Sequence, residues 1–252
     1  MVGRPRNSGA GGLWSSLIVE RRGFELSGRP ARGAGHRSLT VLMPSRAVSV
    51  VGASTYNRRM IQHPTIWTVG HSNHDFERFA GLVDRHRIAF LLDVRSYPYS
   101  RFAPHFNREQ LQATIGARGV SYVFLGLALG GRPQREEHFD ADGHALYSEM
   151  AQEPAFVAAI RRVLEGAGKH RVALLCSCGQ PQECHRRLLI GKVLCDNGAE
   201  LRHILPDATV LTERSVSTDE TVPESLFGHD EQSWRSTRSV SHRRRLSVSS
   251  AG

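Results

Sequence analysis

Short apolar runs alternate with helix-period segments across the middle of this chain, and that alternation restricts the fold more than any other feature. Thr65-Ile-Trp-Thr-Val69, Ile88-Ala-Phe-Leu-Leu-Asp-Val94, Val120-Ser-Tyr-Val-Phe124, Arg171–Cys176 and Leu201-Arg-His-Ile-Leu205 have the length and composition of strands. Between them, apolar residues recur at helical spacing: Phe76, Phe79, Leu82 and Val83; Leu111 and Ile115; Phe156, Val157, Ile160, Val163 and Leu164; and again within Cys184–Asn197. Ser72-Asn-His-Asp75 fits a capping box before the first helix, Asn107 caps the second, and Pro154 suits the first turn of the third. This order predicts an α/β fold: an open, mostly parallel five-stranded sheet with helices on both faces.

The pattern bounds one domain at 64–210, between two tails. Residues 1–63 are rich in Gly, Arg and Ser and have no sustained period, which predicts a disordered basic leader. A mis-assigned start, with Met43 or Met60 as the true first residue, also accounts for it, and an Arg-rich, acid-poor transit peptide has the same composition. Residues 211–252 are rich in Ser, Thr and Arg and read as a second disordered tail.

The net charge of +9 suggests nucleic acid until it is located. Residues 1–64 hold ten arginines against two acids, whereas the central segment and the C-terminal tail are each close to neutral. A basic arm can bind phosphate backbones without specificity, but the charge says little about the central domain's ligand. No apolar run approaches the length of a membrane span, so no membrane partner is expected. Four cysteines in 252 residues argue against a disulfide scaffold and for a reducing, cytoplasmic setting. The oligomeric state and any cofactor are left open.

In open parallel sheets ligands bind beyond the carboxyl ends of the strands, and the unusual polar residues map there. Three cysteines fall within nine residues, in Cys176-x-Cys178-x5-Cys184-His185-Arg186, between the fourth strand and its helix. Cys176 or Cys178 is the candidate catalytic thiolate, activated by the helix terminus and by Arg186 or Arg187. Cys184, His185 and Arg186 are candidate ligand-binding residues. The spacing is a poor match to paired zinc-binding cysteines, so no metal ligands are assigned, and metal binding or redox sensing stands as an alternative. The plain structural reading makes Cys176 and Cys184 small buried hydrophobes. Cys195 lies on an apolar helical face and reads as core.

Asp93 and Arg95 stand two apart at a strand end, on the same side of the sheet. Asp93 is a candidate acid or base, and Arg95, with Arg101 nearby, a candidate anion clamp; a mutual ion pair is the structural reading. His71 is a further acid/base candidate, and Ser72 and Asn73 sit where a strand-to-helix turn could offer backbone N–H groups to an anion; helix capping is the structural reading. Gly130-Gly131 suits a flexible lid. Tyr97, Tyr99, Phe102 and Phe106 flank Arg95 and Arg101, a mixture that can stack on bases or pack a loop.

Taken in order, Gly70-His-Ser-Asn73, Asp93-Val-Arg-Ser-Tyr-Pro98, Ser100–Asn107, Gly130-Gly131 and the Cys176…Cys184-His-Arg186 block resemble the domain-of-unknown-function family 488 over roughly residues 65–206. The resemblance implies an α/β fold and no established reaction. Family members often carry Glu two residues after the first cysteine; here Cys178 stands there. The Asp-x-Arg strand end and the cysteine loop are also distantly similar to rhodanese-like domains, an analogy of fold alone. The leading expectation is an enzyme-like domain with a cysteine/arginine pocket for an anionic small molecule or nucleotide. The alternatives are a nucleic-acid-associated module using the leader and loop 95–108, and a metal-binding or redox-sensing protein.

Overall fold

The computed structural model describes residues 63–219 and 234–240. The expectations for the leader, and for most of the C-terminal tail, lie outside these residues.

Six strands form one sheet: β1 (Thr65–Gly70), β2 (Phe90–Asp93), β3 (Ser121–Phe124), β4 (Val172–Cys176), β5 (Glu200–Ile204) and β6 (Val210–Thr212). Their order across the sheet is β3-β2-β4-β1-β5-β6. The first five are mutually parallel and β6 pairs antiparallel to β5. The helices are α1 (Phe76–Arg85), α2 (Arg108–Ala117), α3 (Gly126–Leu129), α4 (Tyr147–Met150), α5 (Pro154–Ala167), α6 (His185–Leu188), α7 (Ile190–Asp196) and α8 (Glu213–Asp219). The α/β fold with a mostly parallel open sheet is as the sequence predicts; the sixth, antiparallel edge strand is an addition. Among the described residues no helix is long and apolar enough to cross a membrane.

The central strands are buried on both faces, as parallel strands covered by helices must be. Every residue of β2 and β4 is buried. On one face Trp67, Val69, Leu91, Ala173 and Leu175 pack with Phe79, Leu82 and Val83 of α1 and with Leu111 and Ile115 of α2. The alternate residues Ile66, Leu92, Leu174 and Leu201 are also buried, against the face carrying α5, α6 and α7. Each such large apolar side chain stabilises the fold by about 1.5–3 kcal/mol relative to exposure.

This layering positions the site. The helices after β1 and β2 cover one face, and α5 before β4 with the helices after β4 cover the other. The connecting loops therefore part company above the carboxyl end of β4, which lies between β1 and β2. Register sets Gly70 beside Cys176 and Asp93 beside Leu175 at that end.

Several local expectations are corrected. Asp75, not Ser72, caps α1, its Oδ1 accepting from Arg78 N at 2.7 Å. Asn107 holds the N-cap position of α2, but its Oδ1 accepts from Ser100 N at 2.7 Å and fastens the preceding loop. The single helix predicted over Cys184–Asn197 breaks at Leu189 (φ −100°, ψ −68°), which divides α6 from α7. The domain also continues past residue 210. His203 Nε2 and Arg187 Nε both donate to Glu213, at 2.9 and 2.8 Å, and bind α8 to the sheet. Trp234 Nε1 donates to Leu188 O at 2.8 Å, and Ala145 N donates to Ser236 Oγ at 2.9 Å, so residues 234–240 lie against the domain.

Candidate functional site

The site begins with a glycine. A Cβ on Gly70 would fall 1.7 Å from the backbone oxygen of Cys178 and 2.7 Å from Arg186 Nη1, so only glycine lets the cysteine loop fold down onto β1. Arg186 lies beneath that loop, fully buried. Its Nη1 donates to Cys178 O and its Nη2 to Gly179 O at 2.9 Å. The expectation that Arg186 clamps an anion is therefore corrected: its forked donors shape the loop's backbone from inside. Its Nε is buried with no partner.

Above this support the sulfurs gather around one imidazole. Cys176 Sγ lies 4.0 Å from Cys178 Sγ and 3.8 Å from His185 Nδ1, and Cys184 Sγ is 3.9 Å from the same Nδ1. His185 Nε2 is 3.0 Å from the backbone oxygen of Val94. A carbonyl only accepts, so Nε2 carries a hydrogen, and whenever the ring is neutral the Nδ1 lone pair faces the sulfurs. Gly131 lies flat against this ring, since a Cβ there would stand 2.5 Å from His185 Cγ. The glycine pair is thus a packing surface where a lid was predicted.

The electrostatics follow from this crowding. Hydrogen bonds from Cys178 and Cys184, with His185 beside it, hold the Cys176 thiol well below its usual range despite burial. The other two thiols move the opposite way: hydrogen bonding to Cys176 pushes Cys178 far up and Cys184 up to about 12. Cys176 is thus the sulfur of the cluster that ionises most readily. Burial works against a His185 imidazolium, but the adjacent Cys176 charge reverses the balance and raises its pKa. The helix terminus expected to activate the thiolate is only the four-residue α6, whose dipole is small; the neighbouring sulfurs and His185 take that part.

At the end of β2, Asp93 is 0% exposed and saturated. It accepts from Arg95 N at 3.1 Å, from Arg95 Nε at 2.9 and 3.1 Å, from Arg95 Nη2 at 2.5 Å and from Tyr122 Oη at 2.6 Å. A carboxylate holding this many donors is no free acid or base, and the mutual ion pair is the reading the structure supports. Arg95 Nη2 also donates to Phe106 O at 2.9 Å. None of these bonds to described residues uses Nη1, and Arg95 reaches the cavity wall with its position fixed from behind.

The turn after β1 is not an anion cradle. His71 N donates to Cys176 O at 3.0 Å and Ser72 N to Ser177 O at 3.1 Å, so both N–H groups continue the sheet. Ser72 has φ 49°, and its hydroxyl donates to Asn73 Oδ1 at 3.3 Å. His71 stacks on Phe106 with ring centroids 4.3 Å apart. Burial, reinforced by Arg95, lowers its pKa from 6.5 to about 4, so it is neutral near pH 7.

A cavity of about 960 Å³ opens at these strand ends, with Arg95, Cys176, Cys178, Cys184 and His185 on its walls. Five of the predicted site residues thus share one space, drawn from the ends of β2 and β4 and the start of α6. His71, Ser72, Asn73, Asp93, Arg101 and Arg186 are not among the described residues lining it. Arg101 is exposed and stacks on Phe102, its guanidinium carbon 4.7 Å from the ring centre.

Sequence reasoning missed two contributors. Tyr147, buried on the cavity wall, has its phenol pKa raised by burial and then by the neighbouring cysteine cluster. The 234–240 segment adds Ser236 and Arg238 to the rim. The lone Trp234 in a Ser/Arg-rich stretch was the available signal, because an indole there has an unusual amount of apolar surface to bury.

No curated protein and no solved structure matches the chain. A family model, described as domain of unknown function DUF488, matches residues 75–193. That span runs from the cap of α1 into α7 and contains Arg95 and the whole cysteine loop. Over residues 75–193 the chain is similar to the family described as domain of unknown function DUF488.

Proposed function

We propose that this DUF488-like domain is an enzyme-like domain that takes a small anionic ligand into the strand-end cavity. Arg95 holds the anion, and the sulfur cluster of Cys176, Cys178 and Cys184 with His185 forms the reactive floor beneath it. The observation that carries this reading is that a guanidinium pinned by Asp93 and three thiol-bearing residues line the same cavity of about 960 Å³. A charge held in place before the ligand arrives needs no reorganisation on binding. The ligand class is a carboxylate, sulfate or phosphate group, including the phosphate end of a nucleotide, since such oxygens accept from the remaining guanidinium nitrogen, Nη1.

Paired alkylation tests this in the native full-length chain. Iodoacetate carries a carboxylate and iodoacetamide does not, while both lose iodide to the attacking sulfur. The native protein is expected to favour iodoacetate over iodoacetamide more strongly than the same chain in urea, with the label mapping to Cys176 or Cys178. Equal preference in both states, or labelling only after unfolding, would contradict the proposal.

One further observation favours a second reading. Tyr97, Tyr99 and Phe102 are strongly exposed, Phe102 at 82%, beside Arg101 on loop 95–108. Aromatics interleaved with arginine suit stacking on single-stranded nucleic acid. A chain starting at Met60 that still binds single-stranded DNA, and loses binding on Phe102→Ala, would support that reading; binding that disappears with the leader would exclude it.

A further inference from the structure

We propose that Cys176, Cys184 and His185 hold a zinc-type divalent cation whose fourth position opens onto the cavity. The inference concerns the floor of the proposed pocket and rests on that reading only for the identity of the fourth ligand.

The geometry comes first. The three donor atoms all lie within 4.8 Å of one another, with the sulfur-to-Nδ1 distances at 3.8 and 3.9 Å. Metal bonds of ~2.3 Å to sulfur and ~2.0 Å to nitrogen, at tetrahedral angles, place such donors roughly 3.5–3.8 Å apart. The two sulfur-to-nitrogen separations need to close by only a few tenths of an ångström, and the two sulfurs, within 4.8 Å of each other, by at most about 1 Å.

The orientation is the second observation. The Val94 carbonyl fixes the hydrogen of His185 on Nε2 and leaves Nδ1 as the donor facing both sulfurs. A ring hydrogen bond from the non-ligating nitrogen to a backbone carbonyl is the usual support of a metal-bound histidine. Gly131 blocks rotation of the ring from one side. Arg186 sets the intervening loop that returns Cys184 to Cys176. The arrangement also explains why spacing rules fail here. They read pairs within one short loop, whereas these ligands come from the end of β4 and the start of α6.

The ligand chemistry selects the ion. Two thiolates and an imidazole are soft to borderline donors, which suit zinc and exclude magnesium or calcium. Binding releases to solvent whatever protons the two sulfurs still carry, and the doubly charged ion with two thiolates makes a neutral centre in a buried place. Cys178 is exposed and lies outside the group of three. A site with three protein ligands beside a cavity leaves room for water or an anion, the arrangement of catalytic rather than structural zinc. An anion bound there would face both the metal and Arg95.

The test uses the full-length chain, reduced, freed of metal by a chelator and titrated with Co²⁺ under argon. The expected result is one equivalent bound, with a thiolate-to-cobalt charge-transfer band and tetrahedral visible bands, both displaced by Zn²⁺. Cys184→Ser and His185→Gln are expected to weaken binding at least tenfold, while Cys195→Ser binds as the parent does. Should these variants misfold, Zn²⁺ protection of Cys176 and Cys184 from iodoacetamide in the parent chain provides the same answer. The absence of a charge-transfer band together with unprotected thiols would overturn the site, and loss of binding in Cys178→Ser would overturn its open fourth position. Phosphate that leaves the cobalt bands unchanged would count against the anion reading alone and leave the metal site standing.

Discussion

Two corners of the same strand-end rim treat their polar atoms in opposite ways. At the end of β2, Asp93 and Arg95 complete each other, and Tyr122 and the Phe106 carbonyl take up further valences. At the end of β4, three sulfurs and an imidazole stand about 4 Å apart, joined only by long, weak contacts and open to a cavity. The first corner is a finished structural unit that offers one guanidinium nitrogen to the pocket. The second is chemically unfinished. The contrast separates residues that hold the rim from residues available to a ligand, a distinction that composition alone cannot make.

The largest effect is expected where the two corners lean on shared backbone. Gly70→Ala drives a Cβ into the Cys178 carbonyl, so the variant should lose more than about 4 kcal/mol in urea unfolding or fail to fold. Next comes Asp93→Asn, which leaves Arg95 a buried, half-satisfied cation; a loss of about 3–5 kcal/mol is expected. If that loss were under about 1 kcal/mol, the β2 corner would not be the closed unit described here.

A smaller, pH-dependent effect should come from Glu213. Burial opposes its charge, but His203 and Arg187 outweigh burial and lower its pKa below 4.5. A lowered carboxylate pKa adds stability that is fully present above pH 4.5 and is lost as the pH falls through the folded value. Glu213→Gln should therefore be less stable than the parent at neutral pH, with the gap narrowing below pH 4.5; a gap constant down to pH 3 would contradict this. The smallest change belongs to the open corner. Cys178→Ser should alter stability by less than about 0.5 kcal/mol while removing one native-state alkylation site. A large stability loss there would make the sulfur loop structural and erase the contrast between the corners.

The strands were legible because buried parallel strands are short continuous apolar runs, and each of the five predicted runs overlaps one. Cys176, Cys184 and His185 were legible as a group because each lies at the edge of a regular element. What stayed hidden depends on contacts distant in sequence. β6 has three residues, too few to show a period, and α8 owes its place to His203 and Arg187. The direction of Arg186 was invisible for the same reason. An arginine next to a cysteine loop suggests an anion clamp, but only the fold shows that its guanidinium points back under Cys178 and Gly179. Asp93 and Arg95 were recognised as a pair, yet nothing in the sequence announces that Tyr122 completes the shell.

The central claim is that Arg95 and the sulfur cluster act on one ligand. Its most direct measurement is the iodoacetamide labelling rate of Cys176 and Cys178 in the native chain as inorganic phosphate replaces chloride at constant ionic strength. A saturable fall in that rate, with Cys195 unaffected, is the expected result. Identical rates in phosphate and chloride at every concentration would contradict it.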